Sequence, residues 1–137
     1  MVEGCIFCKI VRKEAPSSVV YEDSDVIAFM DIKPVSQGHT LIIPKHHYED
    51  IFDAPEEQIA IAHEITKQIA LAVKKVSKAD GISIVQQNGK AAGQEIFHLH
   101  IHVIPRFEGV KIPKFGELEF ASRQALEDIA AKIRANL

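Results

Sequence analysis

Apolar and polar positions along the chain fall into short runs separated by turn-forming clusters. Ile6 to Val11 is an apolar segment long enough for one or two helical turns, and Ala15-Pro16-Ser17-Ser18 breaks it. Val19 to Tyr21, Val26 to Met30 and Thr40 to Ile43 are β-branched and aromatic and predict three strands. Asp53-Ala54-Pro55-Glu56 has the form of a capping box, with Asp53 as N-cap and Glu56 reaching back. A long helix is expected from there, because Ile61, Ile65, Ile69, Val73 and Val76, flanked by Ala62 and Ala72, recur at helical spacing until Asp80-Gly81. Ile82 to Gln87 and Ile96 to Ile104 predict two more strands, paired antiparallel across a loop that contains Gly89 and Gly93. Leu126, Ile129, Ala130, Ile133 and Leu137 predict a second amphipathic helix starting near Ser122. The order describes a single α+β domain over residues 1–137, a mostly antiparallel sheet of about five strands with helices covering one face.

Composition narrows the setting. The chain has 137 residues, 47% of them hydrophobic and 26% charged, which suits one globular core and argues against disorder. No apolar run reaches the roughly 18 residues of a membrane span, and the N-terminus lacks the regions of a signal peptide, so a cytoplasmic protein is expected. The net charge of −3 comes without any Lys/Arg cluster, so neither a nucleic acid nor a membrane is an expected partner, while small anionic ligands remain open. Cys5 and Cys8 are the only cysteines, too few for a disulfide framework, so their use would be metal or redox chemistry. A thioredoxin-like redox role wants this motif after a strand in a βαβ unit, and here it precedes the first strand.

The chemistry concentrates in His98-Leu99-His100-Ile101-His102-Val103-Ile104. On a strand, Phe97, Leu99, Ile101 and Val103 would face the core while His98, His100 and His102 line the other side. Solvated histidines on an edge strand are the plain alternative. A metal site on all three fits badly, since the outer pair lies ~13 Å apart along an extended strand. Division of labour fits better: one imidazole attacks phosphorus, forms a cationic and easily displaced adduct, and so splits phosphate transfer into two easier steps, while its neighbours hold it and the phosphate.

This pattern resembles the signature of the histidine triad (HIT) superfamily. The resemblance extends to Cys5-Ile6-Phe7-Cys8-Lys9-Ile10, Phe29 to Pro34, Gly38 to Lys45 and Gly93-Gln94. It implies a HIT-like fold with one long central helix and a C-terminal helix, the sheet extended across a homodimer. It also implies a hydrolase at the α-phosphate of nucleoside 5′-phosphate derivatives, acting through a covalent nucleotidyl-histidine with no cofactor required for the chemistry. By the resemblance His100 is the nucleophile, His102 contacts the phosphoryl oxygens, and His in that third position, where other members carry Gln, favours hydrolysis over transfer. Asp31 would grip the ribose hydroxyls, and Ile6, Phe7, Ile10, Phe29 and Ile32 would enclose a purine base. Each of those five read alone is equally compatible with plain core. Gln87 and Gln94 match polar positions along the phosphate path, and His39 an orienting partner of the triad. A nucleotide-sensing protein with little catalysis is the rival reading; a cupin-type metal enzyme suits the long helix poorly.

Some relatives hold a structural zinc, and the resemblance implies Cys5, Cys8, His47 and His98 as its ligands here, with His46 a lesser candidate. His63 lies off the apolar row of the long helix and is expected at the surface. One position departs from the phosphoramidase branch: Glu95 stands where that branch has Ser. A carboxylate cannot donate to a leaving group and repels phosphate, which weakens the phosphoramidate reading. Ile104-Pro105-Arg106 looks more like the dinucleoside polyphosphate hydrolase branch, leaving the leaving group open.

Overall fold

The computed structural model describes residues 2–113 and 117–137. Five strands form one antiparallel sheet in the order β1-β2-β3-β5-β4: β1 (Val19–Glu22), β2 (Val26–Met30), β3 (Thr40–Pro44), β4 (Gly81–Gln86) and β5 (Ile101–Arg106). Helix α1 (Ile6–Val11) precedes the sheet, α2 (Glu56–Ser77) joins β3 to β4, and α3 (Arg123–Arg134) follows β5. Because the chain leaves β3 through α2 and returns at β4, β5 fills the gap between them and is paired on both sides. The histidine-bearing strand is therefore internal, not an edge.

Alternation along β2 divides the core. Val26, Ala28 and Met30 pack with Ile42, Ile101 and Val103 under α2 and α3, while Ile27 and Phe29 pack with Leu41 and Ile43 under α1, joined by Phe7 and Ile10. The long helices cover one face as expected, but α1 covers part of the other. Both faces of β2 and β3 are buried, which is why those strands read as unbroken apolar runs.

Several boundaries differ from the sequence expectation. Asp53 does not cap α2; its carboxylate accepts from the backbone N–H groups of Glu49 and Asp50, and Pro55 takes the N-cap position. Ser122 does cap α3, accepting from the Ala125 N–H at 3.1 Å, but Leu137 lies beyond the helix, half exposed. Ladder pairing of the last strand begins at Ile101, not Ile96. Segment 96–100 bends instead: the Leu99 N–H donates to the Tyr48 carbonyl, and Phe97 is 41% exposed instead of joining Leu99 in the core. His63 is exposed on α2. No helix among the described residues is long and apolar enough to cross a membrane.

Candidate functional site

One row of cross-strand partners runs Phe29, Leu41, His102, Val85 across β2, β3, β5 and β4. Residues directly opposed in a ladder share a face, so His102 stands on the α1 side of the sheet. This row forms part of the wall of a cavity of about 710 Å3, also lined by Ile6, Phe7, Ile10, Asp31, Ile32, Gln87, His39 and His100. Its size is that of a small-molecule site. Phe7 packs edge-on against Phe29 and against the His100 ring, at 5.5 and 5.1 Å between centroids, so α1 forms a wall of the cavity.

Hydrogen bonds fix which nitrogen of each histidine carries its proton. His100 Nδ1 lies 2.8 Å from the carbonyl of His98, to which it must donate, so Nε2 keeps a lone pair. The Val35 N–H donates to His39 Nδ1 at 3.0 Å, which puts the His39 proton on Nε2. That N–H points at His102 Nδ1, 2.9 Å away, making His102 Nδ1 an acceptor and leaving His102 Nε2–H as a donor. The same chain of protons argues against a metal ion among Asp31, His39 and His102, although their ligand atoms lie within 4.8 Å of one another. A neutral His39 has no lone pair on the side that faces them. Burial holds these imidazoles neutral: His39 is pushed down to about 4 and His102 to about 3, and desolvation also lowers His100.

Asp31 lies on the cavity wall next to His39. One oxygen accepts from the Lys33 N–H, the other lies 3.5 Å from His39 Nε2, and burial pushes its carboxyl up. Gly93 has φ +95°, and a Cβ there would come within 2.6 Å of the Gln87 amide, so glycine is what lets Gln87 lie along the loop and reach the cavity. Gln94 is placed differently from the expectation. It is buried inside the loop, accepting from the Gly89 N–H and donating to the carbonyls of Glu49 and Ile96, and it does not line the cavity. Its neighbour Glu95 does. Arg106 is turned to Ser83 on β4 and is not among the lining residues.

A second cluster sits where α1 meets the bend before β5. Cys5, Cys8, His47 and His98 present ligand atoms within 4.8 Å of one another. His98 Nδ1 is 3.5 Å from Cys5 Sγ and 3.6 Å from Cys8 Sγ, and His47 Nδ1 is 3.3 Å from Cys8 Sγ. An ion bonded at ~2.3 Å to sulfur and ~2.0–2.1 Å to nitrogen in a tetrahedron sets those atoms ~3.6 Å apart, so the donor set fits zinc. The tautomer fits as well, because His98 Nε2 donates to the Pro44 carbonyl at 2.8 Å and turns its lone pair toward the sulfurs. His46 is exposed, stacked on Tyr48, and outside the cluster.

The sequence reading missed Leu41 and Val85, which the strand register alone could have supplied. It also missed Leu118, Phe120 and Arg123 beyond β5, for which no local pattern exists.

A model described as HIT domain matches residues 12–109. An uncharacterized HIT-like protein of Methanocaldococcus jannaschii is 47% identical over 116 residues, 84% of this chain and 89% of that protein. An adenosine 5′-monophosphoramidase of Saccharomyces cerevisiae is 44% identical over 103 residues, 75% of this chain and 63% of the yeast protein. Among solved structures, a HIT-like protein from Bartonella henselae, described as involved in cell-cycle regulation and as holding an unknown ligand, superposes with a TM-score of 0.92 at 44% identity, covering 100% of this chain and 99% of that one. A zinc-bound histidine triad family protein from Mycobacterium smegmatis gives 0.86 at 38% identity, covering 97% and 92%.

Proposed function

The chain belongs to the HIT domain family, and from that premise we propose that it hydrolyses nucleoside 5′-phosphate derivatives at the α-phosphate through a nucleotide covalently held on His100. The observation that carries this reading is the His100 Nδ1–H bond to the His98 carbonyl, which leaves the Nε2 lone pair beside His102 in a cavity of nucleotide size. In the first step Nε2 bonds to the α-phosphorus and the leaving group departs with the electron pair of the broken bond, taking a proton from solvent that the attacking water gives back in the second step. His102 Nε2–H donates to the oxygens where negative charge builds. In the second step water attacks phosphorus, the P–N bond breaks, its electrons return to Nε2, and the nucleoside monophosphate leaves.

Asp31 accepts from the two ribose hydroxyls, with Ile6, Phe7, Ile10, Phe29 and Ile32 around a purine base. Gln87 serves the phosphate path, whereas Gln94 supports the loop from within. Glu95 lacks a proton to give a leaving amine, but as an acidic residue of the cavity wall it repels the several phosphates of a dinucleoside polyphosphate more than the single phosphate of a phosphoramidate. Arg106 is engaged elsewhere, and on balance both favour a phosphoramidate. The yeast relative's name points the same way. Cys5, Cys8, His47 and His98 would hold a structural zinc that supplies rigidity alone, because four protein ligands leave no open position for water. We further propose that residues 1–137 act as one domain in a homodimer joined along the free edge of β4, where Ile84 is 45% exposed.

Replacing His100 by Asn tests the mechanism. Turnover of adenosine 5′-phosphoramidate should fall by several orders of magnitude while AMP affinity and the melting temperature stay near those of the parent. A variant that turns over at close to the parent rate would refute it.

A further inference from the structure

Residues 117–123 lie outside the match to the family model, yet Leu118, Phe120 and Arg123 line the same cavity as His100 and Asp31. The segment is pinned in place. The Ala121 N–H donates to the Ile32 carbonyl at 2.9 Å, Arg123 donates to the hydroxyl of the fully buried Ser18 at 2.9 Å, and Ser122 caps α3. Held in this way, Phe120 leaves 69% of its surface exposed at the cavity, with the Lys33 ammonium 4.4 Å over its ring. Ile6 and Ile32, 44% and 47% exposed, line the same cavity. An aromatic ring kept in water beside two exposed aliphatic side chains is costly unless something apolar and flat comes to cover it.

We propose that Phe120 is a base-binding residue, stacking on the nucleobase of the substrate in the cavity it shares with Ile6 and Ile32, with Ala121 and Arg123 as the anchors that hold it there. This rests on the nucleotide reading of the cavity. With phosphorus at His100 and ribose at Asp31, the base is left to the apolar lining, and a planar heterocycle with two hydrophobic faces suits an aromatic ring and branched aliphatics of the same cavity. The Lys33 ammonium makes the Phe120 ring part of a cation–π pair and keeps its orientation. Base contacts would thus come in part from a segment outside the matched domain, so base preference would be a property of this chain's own C-terminal region.

Calorimetric titration with AMP and with ribose 5-phosphate, which lacks the base, separates the outcomes. In Phe120→Ala the Kd for AMP should rise about 5-fold or more, while that for ribose 5-phosphate changes less than about twofold. Phe120→Tyr, which keeps the ring, should restore AMP binding. Because Phe120 is exposed, the alanine variant should fold, and an unchanged melting temperature checks this. If the parent protein binds no AMP, the nucleotide reading and this inference both fail. If the parent binds AMP and Phe120→Ala binds it equally well, only the inference fails. Unchanged AMP binding together with a lower sedimenting mass would assign the ring to a contact between copies and overturn the proposal.

Discussion

Proton placement at single residues sets what the cavity can do. The Val35 N–H, His39 and His102 form a one-way relay of donors, so His102 offers N–H toward substrate while His100 offers a lone pair. Two neighbouring imidazoles are thereby left with opposite capacities, one presenting a lone pair and the other an N–H donor. Under the proposed function Glu95 would bear on a different part of the reaction. Glu95 is an exposed acidic residue of the wall, whereas Gln94 holds the loop from inside. A leaving group bearing several phosphates would meet that charge, and a neutral or cationic amine would not. In Glu95→Gln, kcat/KM for a dinucleoside tetraphosphate should therefore rise several-fold relative to an adenosine phosphoramidate, an effect that weakens as salt is raised. An unchanged ratio in the two proteins at low salt would show that Glu95 does not sense the leaving group.

Among the elements, α1 depends most on others. A six-residue helix has no stability of its own, and this one is held by Phe7 and Ile10 in the core and by Cys5 and Cys8 beside His98. His98 joins the two sites, since its ring faces the sulfurs and its carbonyl fixes the His100 tautomer. Protein purified without chelator should carry about one zinc per chain, and stripping it, or Cys8→Ser, should lower Tm by several degrees and weaken AMP binding as Phe7 loosens. Elemental analysis with paired melts checks this; full zinc content in a Cys5→Ser, Cys8→Ser double variant would place the metal elsewhere. Of this arrangement the sequence carried the cysteine pair and the histidines, but not the face on which α1 lies. A segment this short has too few apolar positions to state a periodicity, so tertiary packing decides. The same holds for 96–100, whose alternation reads as strand although Tyr48 and the His98 carbonyl make its hydrogen bonds outside the ladder.

For the molecule as a whole, strand existence, the span of α2 and the Ser122 cap were legible because each is a local pattern matched to its burial. Strand order and the C-terminal wall of the cavity were not, because both are made by contacts between residues far apart in the chain. Burial of the histidines inside this sheet has one global consequence. His39 and His102 have ordinary values of 6.5 and are pushed down to about 4 and about 3 in the folded protein. Between pH 6.5 and about 4 the unfolded chain binds protons at these rings that the native protein refuses, so stability rises with pH across that window and is lost as pH falls through it. Asp31, shifted upward, works in the opposite sense, and the lowered carboxyls of Glu22, Asp23 and Asp53 act only nearer their ordinary values of 3.8 to 4.5. From pH 6.5 downward the buried imidazoles and Asp31 therefore pull in opposite senses, and comparison with a His102 variant isolates one ring's share. Tm measured from pH 6.5 to about 5 should fall with acidification, and His102→Gln should show a shallower fall because one buried ring no longer competes for a proton. Equal slopes in the two proteins would mean that this ring takes up a proton as readily in the folded protein as in the unfolded chain.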